Sequence, residues 1–186
     1  MTSVAGAVLA GGASTRMGRP KAFIEIDGRT LLDRAVAAMH GADIDDVIVV
    51  GGDRAVIEAA GHRFVADAHP GEGPLGGIVA ALGATEAEIV VILACDLLHA
   101  SSIAVRSLVG ALGTGDVAVP VVEGRAQWLH AAWRRSALPT LKAAFTAGER
   151  APRRALAGLS VVEVLDGSPC WYADADTPAD LPPDAR

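Results

Sequence analysis

Short apolar runs recur along this chain without alternating between apolar and polar residues. Val4–Ala10, Asp46–Val50, Arg63–Ala66, Ile89–Ala94, Val117–Val122 and Val161–Leu165 are dominated by Val, Ile, Leu and Ala. A strand that reads apolar on both sides has to be covered on both faces, which is the condition of parallel strands in α/β proteins. The intervening stretches supply the cover. "TLLDRAVAAMHGA", "RAVIEAAG", "LGGIVAALGATE", "SSIAVRSLVGAL", "SALPTLKAAFTAGE" and "APRRALAGL" all have helical spacing or composition. A short run at Trp171–Ala173 reads as one more strand. The expected fold is α/β: a three-layer sandwich, with helices on both faces of a mostly parallel, Rossmann-like sheet. At 186 residues, 51% of them hydrophobic, the chain is expected to form one domain, residues 1–186.

Charge and cysteine usage exclude several functions. A formal net charge of −6 argues against non-specific nucleic-acid binding. No apolar run is long enough to span a bilayer, and "EIVVILACD" carries charge at both ends. The N-terminal stretch lacks the basic residues of a secretory signal and is expected to be retained, which points to a cytoplasmic protein. Cys95 and Cys170 are the only cysteines, each beside strand-like sequence, and no disulfide is expected between them.

In an open parallel sheet the ligand lies beyond the carboxyl ends of the strands. That directs attention to Gly11–Lys21, Asp67–Gly77 and Asp96–Ser101. The first of these, in "LAGGASTRMGRPK", fits neither the G-x-G-x-x-G fingerprint nor a phosphate-binding loop with Gly-Lys-Ser/Thr. Adjacent glycines still permit an anion nest of backbone N–H groups, with Arg16 and Lys21 to neutralise phosphate oxygens. A solvated connection between strand and helix accounts for the same composition, and both readings stand. Asp96 follows its apolar run directly, where a carboxylate can hold a hard divalent ion, though a helix cap or a surface site also fits. Asp174 and Asp176 add carboxylates in "YADADTPADL", and Asp176 has the alternative of capping a short helix opened by Pro178. Gly73, Gly76 and Gly77 surround Pro74 at a helix start, where a ring or ribose can lie against backbone, with Asp67 as an acceptor. The five histidines show no metal-ligand spacing, and His99 and His130 are site candidates only through their neighbours. Trp128, Trp133 and Trp171 read as core or rim packing.

Taken together, these stretches resemble the molybdenum cofactor guanylyltransferases of the nucleotidyltransferase superfamily. "LAGGASTRMGRPK" is similar to that family's opening signature, "DAHPGEGPLGGI" to its second segment, "ACDLL" to its metal-aspartate segment and "DADTPADL" to its closing motif. "GPLGGI" favours the guanylyl branch. The resemblance implies a nucleotide-diphospho-sugar transferase-like fold and transfer of GMP from GTP to molybdopterin carrying molybdenum, with release of pyrophosphate. It implies a nucleotide pocket at Leu9, Ala10, Gly11 and Gly12, and catalytic roles for Arg16, Lys21 and Asp96. Asp67 and Gly76 are expected beside the guanosine, and Mg²⁺ at Asp96 with Asp176. GTP and the molybdopterin cofactor are the implied partners, along with transient contact to molybdenum-insertion or maturation proteins, and neither nucleic acid nor membrane. Three positions depart from the family pattern. Asp176 stands where guanylyl enzymes commonly carry Asn, Pro20 where they carry an acidic residue, and Trp128 where they carry proline. The first two suit cytidylyl relatives, which keeps a cytidylyltransferase, or another enzyme acting on a phosphate acceptor, as an alternative. A nucleotide-binding adaptor without catalysis is a further one. The basic run Arg150, Arg153 and Arg154 fits either a contact to the pterin's phosphate or a solvated face.

Overall fold

The computed structural model describes residues 2–11, 19–165, 167–183 and 185. β1 (Val4–Leu9) leads, across 12–18, to a 3-10 turn at Lys21–Phe23 and a hairpin of β2 (Glu25–Ile26) and β3 (Arg29–Thr30). Asp27 and Gly28 turn that hairpin with φ of 52° and 73°, the two positive values a tight two-residue turn requires. α1 (Leu31–His40), β4 (Val47–Val50), α2 (Arg54–Ala59) and β5 (Arg63–Val65) follow, then α3 (Pro74–Gly83), β6 (Ile89–Ala94) and α4 (Ser102–Ala111). The chain continues through β7 (Val117–Val122), β8 (Arg125–Ala126), β9 (Ala131–Arg134), α5 (Leu138–Thr146) and β10 (Val161–Val164).

The main sheet runs β10-β7-β9-β6-β1-β4-β5, with β8 paired to β7. β1 is parallel to both β4 and β6, β4 to β5, and β7 to β10. β9 is antiparallel to its neighbours β6 and β7. Alternate residues of each central strand feed opposite cores. Val8, Val49, Val91 and Leu93 pack with Leu32, Val36, Met39, Val105 and Leu108, under α1 and α4. Ala7, Leu9, Ile48, Val50, Val90 and Ile92 pack with Leu75, Ile78, Leu82, Leu141 and Phe145, under α3 and α5. This double burial is the physical origin of the unalternated runs, and each large side chain so removed from water contributes about 1.5–3 kcal/mol.

The structure corrects the sequence reading at three places. Trp171–Ala173 is not a strand; Pro169–Tyr172 forms a 3-10 turn. "APRRALAGL" is not a helix; Pro152–Arg154 forms one 3-10 turn before Gly158 bends the chain at φ 76°. Prolines start both turns, and in each the geometry ends before a second turn forms. The antiparallel β9 was not expected, because "HAAWRRSALP" is Ala-rich and runs into a helix without a turn residue between. No disulfide forms: Cys95 is buried, Cys170 exposed, and both are free.

Candidate active site

From β1 the chain moves outward to β4 and β5, then returns to the opposite side of β1 as β6. That reversal makes β1 and β6 the switch point of the sheet, where their carboxyl ends splay and leave a crevice. β1 is tied to β4 by Ala10 N–H, which donates to Val50 O at 2.9 Å, and to β6 by Cys95 N–H, which donates to Leu9 O at 3.1 Å, just before the ends separate. A cleft of about 640 Å³ opens there.

Leu9, Ala10, Gly11, Lys21, Asp67, Asp96 and Asp176 line this cleft, so four distant segments meet at one place. Gly12 and Arg16 lie outside the described residues. Gly76 is turned away from the cleft: a side chain there meets His69 and Phe145, each at 3.3 Å, while its neighbour Gly77 lines the cleft. The approach of Gly51 to Gly11 went unread in the sequence. Gly51 has φ 75°, and a Cβ at that position would lie 3.1 Å from Gly11 Cα and 3.2 Å from Gly11 N. The loops after β1 and β4 therefore pack backbone against backbone.

Lys21 is the charge centre. Its Nζ donates to Asp96 Oδ2 at 2.8 Å and to Asp176 Oδ1 at 2.9 Å. The Lys21 and Asp96 side chains are 17% and 18% exposed, Asp176 58%. Burial pulls the Lys21 pKa down, but the hydrogen bonds to Asp96 and Asp176 outweigh it and hold the ammonium above its ordinary value. Asp176 is not a cap. Thr177 is the N-cap, in a capping box with Asp180, whose carboxylate accepts from Thr177 N at 2.6 Å and Asp176 N at 3.1 Å, and this leaves the Asp176 carboxylate to the cleft. Nor does Asp96 cap α4, since Ser101 does.

The closing segment is stitched onto the end of β6. Leu98 N–H donates to Ala173 O, Ala175 N–H donates to Asp96 O, and Leu97 forms an antiparallel bridge with Asp174. Ala175 is buried with Ile24, Ile26 and Leu31, so the hairpin after Lys21 and the Asp174–Asp176 segment share a small core of their own. This core is what brings residues 21 and 176 together across the chain.

His130 and Asp174 also line the cleft. His130, 2% exposed, accepts at Nδ1 from Ala94 N–H at 3.4 Å, and its Nε2 lies 3.2 Å from Asp174 Oδ1. With Nδ1 accepting, the ring proton is on Nε2 and is donated to the carboxylate. His99, the other histidine the sequence singled out, is exposed and does not line the cleft. Trp128 lines it, with its ring centroid 6.2 Å from that of Trp133, which is fully buried.

No activated nucleophile stands in the cleft among the described residues. The Cys95 thiol is pushed up to about 12 by burial, reinforced by the Asp96 charge. The basic run after α5 serves the fold. Arg150 stacks 4.1 Å over the Phe145 ring and pairs with Glu72 at 2.7 Å. Arg154 pairs with Glu149 at 2.6 Å. Arg153 is exposed.

Asp96 and Asp176 are hard oxygen donors of the kind a divalent ion takes. Two carboxylate oxygens from different loops reach one cationic atom, and no group of three His, Cys, Asp or Glu side chains suited to a metal forms among the described residues. Mg²⁺ is characteristically bound in this way, by one or two carboxylates with phosphates and water completing the octahedron.

Comparison with known proteins agrees with this architecture. A probable molybdenum cofactor guanylyltransferase from Bacillus cytotoxicus is 36% identical over 73% of this chain and 71% of its own length. A molybdenum cofactor guanylyltransferase from Pseudomonas putida is 31% identical over 90% of this chain and 87% of its own. The crystal structure of molybdopterin-guanine dinucleotide biosynthesis protein A from Archaeoglobus fulgidus superposes with a TM-score of 0.76 at 24% identity, covering 94% and 93% of the two chains. The family model for the MobA-like NTP transferase domain matches residues 6–164, from within β1 to the end of β10, stopping short of Asp174 and Asp176. The chain belongs to the MobA-like NTP transferase family.

Proposed function

We propose that this chain is a molybdenum cofactor guanylyltransferase: it transfers GMP from GTP to the terminal phosphate of the molybdopterin cofactor and releases pyrophosphate. The observation that carries this reading is the Lys21 ammonium held between Asp96 and Asp176 at the switch point. The names of the relatives support the choice of substrates.

The chemistry asks little of acid–base catalysis. The acceptor phosphate is already ionised; its oxygen attacks the α-phosphorus, a new P–O bond forms, and the bond to the β-phosphate oxygen breaks to free pyrophosphate. Alignment and charge neutralisation are the main requirements. Gly11 and Gly77 allow the nucleotide close to backbone, with Asp67 as an acceptor at the same side. Lys21 donates to phosphate oxygens where charge accumulates, and its hydrogen bonds to Asp96 and Asp176 keep it protonated against the effect of burial. Asp96 and Asp176 would hold Mg²⁺, which when bound neutralises triphosphate charge. Arg16 is assigned to the same phosphates on the sequence resemblance alone. We place the reaction in the cytoplasm, with handover of the product to molybdenum-insertion proteins.

Thermal shift with GTP and with CTP, each with Mg²⁺, tests the base. Stabilisation by GTP exceeding that by CTP at equal concentration is expected. A larger shift with CTP replaces guanylyl by cytidylyl transfer, the reading that Asp176 and Pro20 favour.

A further inference from the structure

The Asp174–Asp176 segment offers two carboxylates to the cleft. Residues two apart in extended backbone point to the same side, and Ala175 between them is fully buried on the other. The stitching to β6 fixes this backbone, but the bonds at Leu98, Ala175 and Leu97 do not involve the carboxylates. The carboxylates are sorted by side chains: Asp176 goes to Lys21, and Asp174 to His130.

His130 occupies a defined gap in the sheet. The β6–β9 ladder runs from Ile89–Arg134 to Ile92–Ala131 and ends there. Ala94 N–H lies beyond that end on the side away from β1, where backbone pairing has stopped, and the His130 ring takes it up. A donor bound at Nδ1 commits the neutral ring to a proton on Nε2, so the imidazole arrives at Asp174 as a donor only. The ring itself is buried, and it packs 6.1 Å from the Tyr172 ring.

We propose that His130 is a positioning residue that makes Asp176, and not Asp174, the partner of Asp96 for a divalent cation. By holding the Asp174 carboxylate against the end of β6, it keeps that group from the cation position and leaves the site with two protein carboxylates. The inference rests on the cation reading given above, and concerns this chain's residues rather than the identity of the nucleotide.

Mn²⁺ binding to the full-length protein, followed by electron paramagnetic resonance without nucleotide, tests it together with melting temperature. A site's affinity for a divalent cation rises with its count of charged ligands. His130→Leu releases Asp174 to join Asp96 and Asp176, and is expected to bind Mn²⁺ about tenfold more tightly than wild type; an unchanged or weaker affinity in the folded variant overturns the proposal. A merely structural role lowers the melting temperature without moving the affinity of the folded protein. Should His130→Leu not fold, the pair at Asp174, which is 37% exposed, decides. Asp174→Asn and Asp174→Leu both remove a carboxylate that the cation does not meet, and both are expected to stay within threefold of wild type. A loss beyond threefold in Asp174→Asn means that Asp174 ligates directly, and overturns the proposal. Wild-type protein that transfers GMP yet binds no Mn²⁺ also overturns it while leaving the reaction intact. The expected variant pattern without any transfer keeps His130's role and removes the reaction.

Discussion

Replacing Gly51 by alanine measures how closely the β1 and β4 loops must approach to shape the nucleotide side of the cleft. Two costs are separable. The backbone at Gly51 has φ 75°, and an L side chain in that region costs about 1–2 kcal/mol. The added methyl would also stand 3.1 Å from Gly11 Cα, where carbon atoms prefer about 3.5–4.0 Å. Relieving that overlap moves Gly11 by about 0.5 Å, and comparable overpacking costs about 1–3 kcal/mol. Gly61 is the control, with φ 84° and nothing within 4 Å of an added Cβ. Urea unfolding is expected to show Gly61→Ala destabilised by the first cost alone, and Gly51→Ala by about twice as much or more. Misplacing a site by about 1 Å can cost 10²-fold, so half that shift predicts a fall in kcat/KM for GTP of about tenfold in Gly51→Ala and none in Gly61→Ala. Equal destabilisation of the two variants, or unchanged kcat/KM in Gly51→Ala, refutes the reasoning.

Lys21→Met leaves two facing carboxylates without their shared cation; turnover is expected to fall by about 10²–10³-fold, as for loss of one charge-stabilising donor. Its stability should fall by about 1–3 kcal/mol, because the Asp96 carboxylate, 18% exposed, loses its charged partner, while the largely exposed Asp176 loses little. The comparison is made by steady-state pyrophosphate release and urea unfolding, and near-normal turnover contradicts the role given to Lys21. Glu149 is held at about 2 by its hydrogen bond to Arg154 and then by Ala151 N–H, below the ordinary 4.5. A folded pKa below the unfolded one gives stability that is complete above 4.5 and lost as pH falls towards 2. The melting-temperature gap between wild type and Glu149→Gln should therefore close across that window, and a gap that widens on acidification runs against the assignment. In native protein, iodoacetamide should label Cys170 and spare Cys95, whose thiol is buried and protonated well above neutral pH. Intact-mass measurement reads the count, and rapid double labelling contradicts the burial described.

The parallel strands were legible because both faces of the sheet are buried, and double burial leaves an unalternated apolar run. β9 was not, since four residues of "AAWR" owe their strand geometry to β6 and β7 on either side rather than to their own preference. The same limit hid His130, whose importance lies in a ladder ending at Ile92, a property of pairing between distant segments. Lys21, Asp67 and Asp96 could be picked from sequence because each follows an apolar run or glycine-rich stretch at the end where such sheets bind ligands. Asp176 was picked behind Trp171–Ala173, where the chain forms a 3-10 turn and not a strand. The arginines after α5 were ambiguous for a converse reason: a basic run looks alike whether it meets a phosphate or, as Arg150 and Arg154 do, Glu72 and Glu149. Gly76 and Gly77 show the resolution of sequence reading at a helix start, where one residue of rotation separates a glycine facing Phe145 from one facing Leu9 in the cleft wall.

The most direct test of the central claim is pyrophosphate release from GTP with Mg²⁺ and molybdopterin cofactor, comparing wild type with Asp96→Ala. The wild type is expected to release pyrophosphate in step with GMP appearing on the cofactor, and Asp96→Ala to release none while keeping its melting temperature to within a few degrees, roughly what a change of about 1 kcal/mol produces. Full activity in a folded Asp96→Ala protein, or tight GTP binding by the wild type with no transfer, contradicts the account.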